Sequence, residues 1–123
     1  HVADPGVVSP LLRRTALALP FTQKERVFAI YLGPTGILQV SCLNEGGAQE
    51  AMVPFEKIIE QGRSLGATSF VLAHNHPSGA RYPSREDKEA TRRLTAYGAA
   101  KGLPLADHLI IASGEVVSAR ASA

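Results

Sequence analysis

The segment Phe70-Val71-Leu72-Ala73-His74-Asn75-His76-Pro77-Ser78-Gly79, followed by Ala80-Arg81-Tyr82-Pro83-Ser84-Arg85-Glu86-Asp87, decides how the chain is read. Phe70 to Ala73 is apolar at every position, the pattern of a short strand buried on both faces. His74 and His76 continue it two residues apart, and side chains at i and i+2 project to the same side of a pleat. The two imidazoles therefore converge at the strand's C-terminal end. Pro77 and Gly79 stop regular structure. Pro83-Ser84 then announces a helix, with Ser84 as N-cap and Asp87 at its third position. That puts a carboxylate at a helix start returning toward the histidines.

Two neutral imidazole nitrogens and one carboxylate oxygen make a three-ligand set suited to zinc, with the fourth tetrahedral position left open as in catalytic sites. On spacing alone an ordinary reading stands beside it: the histidine pair is incidental, and Ser84 with Asp87 is a capping box. The triplet His74-Asn75-His76 does not fit an HNH nuclease, whose three residues are widely spaced in a ββ-plus-helix unit. Zinc deaminase chemistry is disfavoured as well, because its His-x-Glu and Pro-Cys-x-x-Cys ligands are missing.

His74-x-His76-Pro77, a six-residue spacer and Ser84-x-x-Asp87 resemble the JAMM motif of the JAB/MPN metalloprotease-like domains. His74-Asn75-His76-Pro77-Ser78-Gly79 with Pro83-Ser84-x-x-Asp87 is similar to the RadC branch in particular. The resemblance extends through Thr91-Arg92-Arg93-Leu94 and Asp107-His108-Leu109-Ile110-Ile111, and upstream to Glu25, so it covers about residues 24–118. It departs at Ala80-Arg81, where an acidic residue and Pro are more usual, and over residues 44–57. It implies an α/β domain of the cytidine-deaminase-like type, a mixed sheet flanked by helices. It implies zinc held by His74, His76 and Asp87, Glu25 as general base and then general acid, and Ser84 as oxyanion stabiliser. The activity implied is zinc-dependent hydrolysis of amide or isopeptide bonds, on a peptide or isopeptide substrate. A second reading from the same family is a non-catalytic, DNA-repair-associated module that binds DNA or DNA-maintenance proteins, with Arg81, Arg85, Lys88, Arg92 and Arg93 near the site.

Without the resemblance, Glu25 reads as a solvated residue before a strand, and Glu45, Glu50 and Glu56 are the other candidate carboxylates. Ser84 can cap the helix, stabilise an oxyanion, or do both. Strand alternation turns Asn75 away from the histidines, toward organising the loop. Asp107 and His108 either support a ligand imidazole from behind or form a satisfied polar pair at a strand start.

A chain of 123 residues, 45% hydrophobic, is one domain's worth. We expect a linker over residues 1–8 and the domain over 9–123. The start at His1 rather than Met fits a domain excised from a longer protein, and the resemblance implies a helix-hairpin-helix region ahead of it. The net charge is +2 and the pI near 8.9, but no run of five Lys or Arg supplies a nucleic-acid footprint. The single cysteine, Cys42, cannot form an internal disulfide and is expected in the core. A reducing cytoplasmic setting fits, and neither a secretory apolar stretch nor a spanning segment is present.

Working outward, Ser9-Pro10 can cap and start a helix over Leu11 to Leu19, ended by Pro20. Arg26 to Leu32 and Ile37 to Leu43 form a hairpin through Gly33-Pro34-Thr35-Gly36, with Glu25 at its start on the face of Val27 and Ala29. A short strand is expected over Glu50 to Val53, then a helix from Pro54 with Phe55, Ile58, Ile59, Gly62 and Leu65 on one stripe, stopped by Gly66. A second long helix spans about Arg85 to Lys101, with Ala90, Leu94 and Tyr97 as its apolar face. Leu105 to Ala112 and Glu115 to Ser118 read as strands joined by Ser113-Gly114.

Overall fold

The computed structural model describes residues 8–21, 23–43 and 55–120. In chain order its elements are α1 (Pro10–Leu17), β1 (Val27–Gly33), β2 (Gly36–Cys42), α2 (Phe55–Leu65), β3 (Ser69–Asn75), α3 (Arg85–Ala100), β4 (Leu105–Ala112) and β5 (Glu115–Ser118). The strands make one mixed sheet in the order β2-β1-β3-β4-β5, antiparallel except between β3 and β4. The Phe70–Ala73 run is thus in the central strand, where apolar side chains are needed on both faces. The strand expected over Glu50 to Val53 and most of the expected N-terminal linker lie outside the described residues.

Helices cover both faces, giving three layers. Ile58 and Ile59 of α2 and Leu94 of α3 pack with Val27, Ala29, Tyr31, Phe70 and Leu72 on one side. Ala16 and Leu12 of α1 pack with Ile30, Val71, Ala73 and Leu109 on the other. The Ser9 hydroxyl caps α1, accepting from the Leu12 N–H, and Pro10 occupies its first turn. The helix ends at Leu17 rather than Leu19, because a residue preceding proline is pushed out of the helical region. The buried Tyr31 hydroxyl donates to the Ile58 carbonyl at 3.0 Å, tying β1 to α2, and burial pushes its pKa up to about 12. Cys42 is only partly buried, since β2 is an edge strand. Among the described residues no helix is long and apolar enough to cross a membrane.

Two local features position the site. The fully buried residues of α3 are Thr91, Leu94 and Gly98; Tyr97 packs on the same core while partly exposed, and Ala90 is only partly buried. Thr91 tolerates burial because its hydroxyl donates to the Asp87 carbonyl at 2.7 Å and lies 2.6 Å from His108 Nδ1. Gly98 lets α3 approach the following chain, since a Cβ there would sit 2.5 Å from the Leu103 carbonyl oxygen. The second feature is a bulge at the start of β4. Phe70 pairs with Leu105 but Val71 pairs with Asp107, so β4 carries one extra residue there. After the bulge, His108 falls beside Leu72 and Ile110 beside His74, while Leu109 points into the α1 side. Arg120 donates to the Leu105 and Ala106 carbonyls at 2.6 and 2.9 Å, and Asp107 accepts from the His108 N–H and the Ser118 hydroxyl, both at 2.7 Å. These bonds satisfy the polar groups that the bulge removes from the ladder.

Candidate metal centre

Strand β3 ends in the ladder on both sides of the histidines. His74 pairs with Val27 of β1 and Ile110 of β4, and the His76 N–H still donates to the Ile111 carbonyl at 3.0 Å. His76 is therefore held in register one residue beyond the strand, and its imidazole shares a face with that of His74. The chain then reverses at Pro77-Ser78-Gly79, with the Gly79 N–H on the His76 carbonyl at 2.9 Å and Gly79 at φ +86°, where a side chain is strained. The reversal brings the Ala80 carbonyl to 2.8 Å from His76 Nδ1. Because a main-chain carbonyl makes this contact, the departure at Ala80-Arg81 leaves it intact. Arg81 itself forms an exposed ion pair with Glu115 at 3.0 Å.

Helix α3 supplies the third group through its capping box. The Ser84 hydroxyl accepts from the Asp87 N–H at 3.0 Å, and Asp87 Oδ2 accepts from the Ser84 N–H at 2.8 Å. The same carboxylate reaches the histidines, with Oδ2 at 2.9 Å from His76 Nε2 and Oδ1 at 3.2 Å from His74 Nε2. The capping box and the ligand reading therefore do not compete: one side chain does both. Burial alone would raise the Asp87 carboxyl, but the hydrogen bond and charge of His74 and the two bonds to Ser84 hold it well below the usual carboxylate range.

His74 Nε2 and His76 Nε2 are 3.2 Å apart, and one ligand atom from each of His74, His76 and Asp87 lies within 4.8 Å of the others. Ligands about 2.0–2.1 Å from a tetrahedral zinc are separated by roughly 3.3 Å from one another. His74 Nε2 lies near that spacing from both His76 Nε2 and Asp87 Oδ1, at 3.2 Å each, while Asp87 turns its other oxygen, Oδ2, to His76 Nε2 at 2.9 Å. A carbonyl only accepts, so His76 gives Ala80 its Nδ1 proton, which makes Nε2 the atom it would offer a metal. The two Nε2 atoms and the Asp87 carboxylate thus converge on one point, and this group could hold a metal ion.

Glu25 lies just before β1, 40% exposed, with Oε2 at 3.8 Å from His74 Nε2. Glu56 is exposed in the first turn of α2, and Glu45 and Glu50 lie outside the described residues. Asn75 points to the other side, as alternation requires, and it holds the chain on both sides of Glu25. Its Oδ1 accepts from the Arg26 N–H at 2.7 Å and its Nδ2 donates to the Lys24 carbonyl at 3.2 Å. A side-chain amide thus replaces the ladder bonds where β1 has not yet begun.

Behind His74, its Nδ1 is 2.9 Å from Nε2 of His108. His108 is buried, and burial followed by the charge of His74 pushes its pKa down to about 3, against the opposing pull of Asp87. Asp107 takes no part in this contact, being turned to Ser118 and the bulge. Burial pushes its pKa up. Thr91 enters the sequence reading only within the resemblance, with no role of its own, although it stands four residues after Asp87 and so on the same helix face, a spacing that points to it.

The family model of the RadC-like JAB domain matches residues 4–123. A UPF0758 protein of Symbiobacterium thermophilum is 38% identical over 84 residues, 68% of this chain and 36% of the relative. One of Acaryochloris marina is 35% identical over 120 residues, 97% of this chain and 48% of its own length. One of Nostoc sp. is 36% identical over 115 residues, 91% of this chain and 47% of its own. The chain spans less than half the length of these relatives. The match over nearly the whole chain, on a mixed sheet that brings His74, His76 and Asp87 together, places this protein in the RadC-like JAB domain family.

Proposed function

We propose that the domain is a zinc-dependent hydrolase of amide or isopeptide bonds. The observation that carries this reading is the convergence of ligand atoms from His74, His76 and Asp87 within 4.8 Å of one another, with the Glu25 carboxylate 3.8 Å from His74 Nε2. JAB domains include metalloproteases, which supports it. Zinc held by the three side chains supplies Lewis acidity toward a substrate carbonyl and acidifies a water.

Glu25 is the proton carrier in this scheme. Its carboxylate borders the site while remaining open to solvent, so Oε2 can take a proton from the attacking water and return it to the departing amine. Asn75 keeps that carboxylate in place by fixing the main chain at Lys24 and Arg26. The Ser84 hydroxyl spends a lone pair on the Asp87 N–H, which leaves its proton to donate to the oxyanion. Bonds made by Nδ1 leave the Nε2 atoms of His76 and His74 as those that would hold the zinc.

The test is a screen of peptides and isopeptide-linked peptides with zinc-loaded protein, with and without chelator. Chelator-sensitive cleavage is the expected result. No cleavage together with salt-dependent binding to duplex DNA would favour the interaction module instead. Of the basic residues near the site, Arg81 and Arg92 are paired with Glu115 and Glu89, which reduces the charge available for that role.

A further inference from the structure

We propose that His108 and Thr91 are positioning residues of this centre. They form a buried, one-directional hydrogen-bond relay that fixes the tautomer of His74 and ties it to the helix carrying Asp87. The inference rests on the metal reading above and deepens it.

The direction of the relay follows from its far end. The Asp87 carbonyl can only accept, so the Thr91 hydroxyl gives it its one proton at 2.7 Å. Having no second proton, that hydroxyl can only accept from His108 Nδ1 at 2.6 Å. His108 therefore carries a proton on Nδ1. With that proton committed to Thr91, its Nε2 is left to accept from His74 Nδ1 at 2.9 Å. His74 in turn is left with Nε2 as its ligand atom, 3.2 Å from His76 Nε2. Its three side chains are enclosed: His74 is 2% exposed, Thr91 1% and His108 3%. Water is thus poorly placed to substitute for a missing partner.

The relay links three elements that also pack on one another, β3, β4 and α3. It starts on β3, crosses β4 and ends on the main chain of Asp87 itself, so both ligand-bearing elements are referred to one another from behind. Its middle member depends on the β4 bulge, since strict alternation from Leu105 would turn His108 toward α1. Arg120, Asp107 and Ser118 hold that bulge, which gives these polar residues a role in the site without contact with it. Partners that orient a ligating imidazole typically contribute about 10–100-fold to metal affinity.

The experiment combines nitrogen NMR of the imidazoles with zinc titration of wild type, Thr91→Val and Thr91→Ser, using zinc alone as the probe. The wild type is expected to show His108 neutral, protonated on Nδ1 and bare on Nε2, in metal-free and zinc-loaded protein alike. Thr91→Val, nearly isosteric, is expected to bind zinc about tenfold more weakly or worse and to change the His108 nitrogen pattern. Thr91→Ser is expected to restore both. His108 protonated on Nε2 in the wild type overturns the relay without any variant. So does unchanged zinc affinity in Thr91→Val, or a loss that Thr91→Ser does not recover. A wild type that takes up no zinc overturns the metal reading itself, a result distinct from zinc binding that is indifferent to Thr91.

Discussion

Replacing Ser84 separates stability from chemistry at one hydroxyl. Ser84 caps α3 by accepting from the Asp87 N–H at 3.0 Å, and loss of such a cap to alanine typically costs about 1 kcal/mol. Unfolding entropy of about 2.1 cal/mol/K per residue gives roughly 0.26 kcal/mol/K for 123 residues, so Ser84→Ala should lower Tm by about 4 °C. Ser84→Gly removes the same hydroxyl but costs only a few tenths of a kcal/mol as a cap, so its Tm should fall by roughly 1 °C. If the hydroxyl also donates to the oxyanion, both variants lose it equally, and turnover should drop by about a hundredfold in each. The assays are thermal melts of metal-free protein and turnover on a cleaved peptide or isopeptide at saturating zinc. Turnover close to wild type in both variants refutes the oxyanion role and leaves only the cap. An unchanged melt in Ser84→Ala refutes the energetic reading of the capping box.

Glu25→Gln should retain fold and zinc while turnover falls by about a hundredfold to ten-thousandfold, measured by metal content and cleavage rate; loss of zinc would instead make Glu25 a ligand. The Asp87 carboxyl is held below its unfolded value of 3.8, so it contributes stability at pH above that value which is lost as pH falls through the lower folded one. Denaturant melts of metal-free wild type and Asp87→Asn should therefore differ most near neutrality and converge in acid; a constant gap counts against the charge argument. Gly98→Ala should destabilise by about 1–3 kcal/mol despite better helix propensity, because the obstructing atom is a main-chain oxygen; a melt at or above wild type would contradict the close approach.

Much of this site is legible in the chain because it is made of local patterns. The two-sided apolar run names a central strand, the i, i+2 spacing puts His74 and His76 together, and Ser84-x-x-Asp87 announces a helix start, all as observed. The resemblance added Glu25, whose carboxylate does lie beside His74 although no local spacing connects residues 25 and 74. What was not legible depends on contacts between distant segments. The β4 bulge is stabilised by Arg120 and Ser118, so nothing within residues 105–108 announces which way His108 faces. Thr91 looks like one more polar residue on a charged helix until His108 arrives from β4 to occupy its hydroxyl. Alternation turns Asn75 away from the histidines, as the sequence predicts, but its bonds to Lys24 and Arg26 depend on the β1–β3 pairing.

The central claim is that His74, His76 and Asp87 form one metal site, and zinc titration of chelator-stripped protein near neutral pH tests it most directly. Neutral pH matters because protonated ligands would give up the metal. The account predicts one tightly held zinc per chain in the wild type, and its loss in His76→Ala with the fold retained. Equal zinc uptake by the two proteins, or none by the wild type, would contradict it.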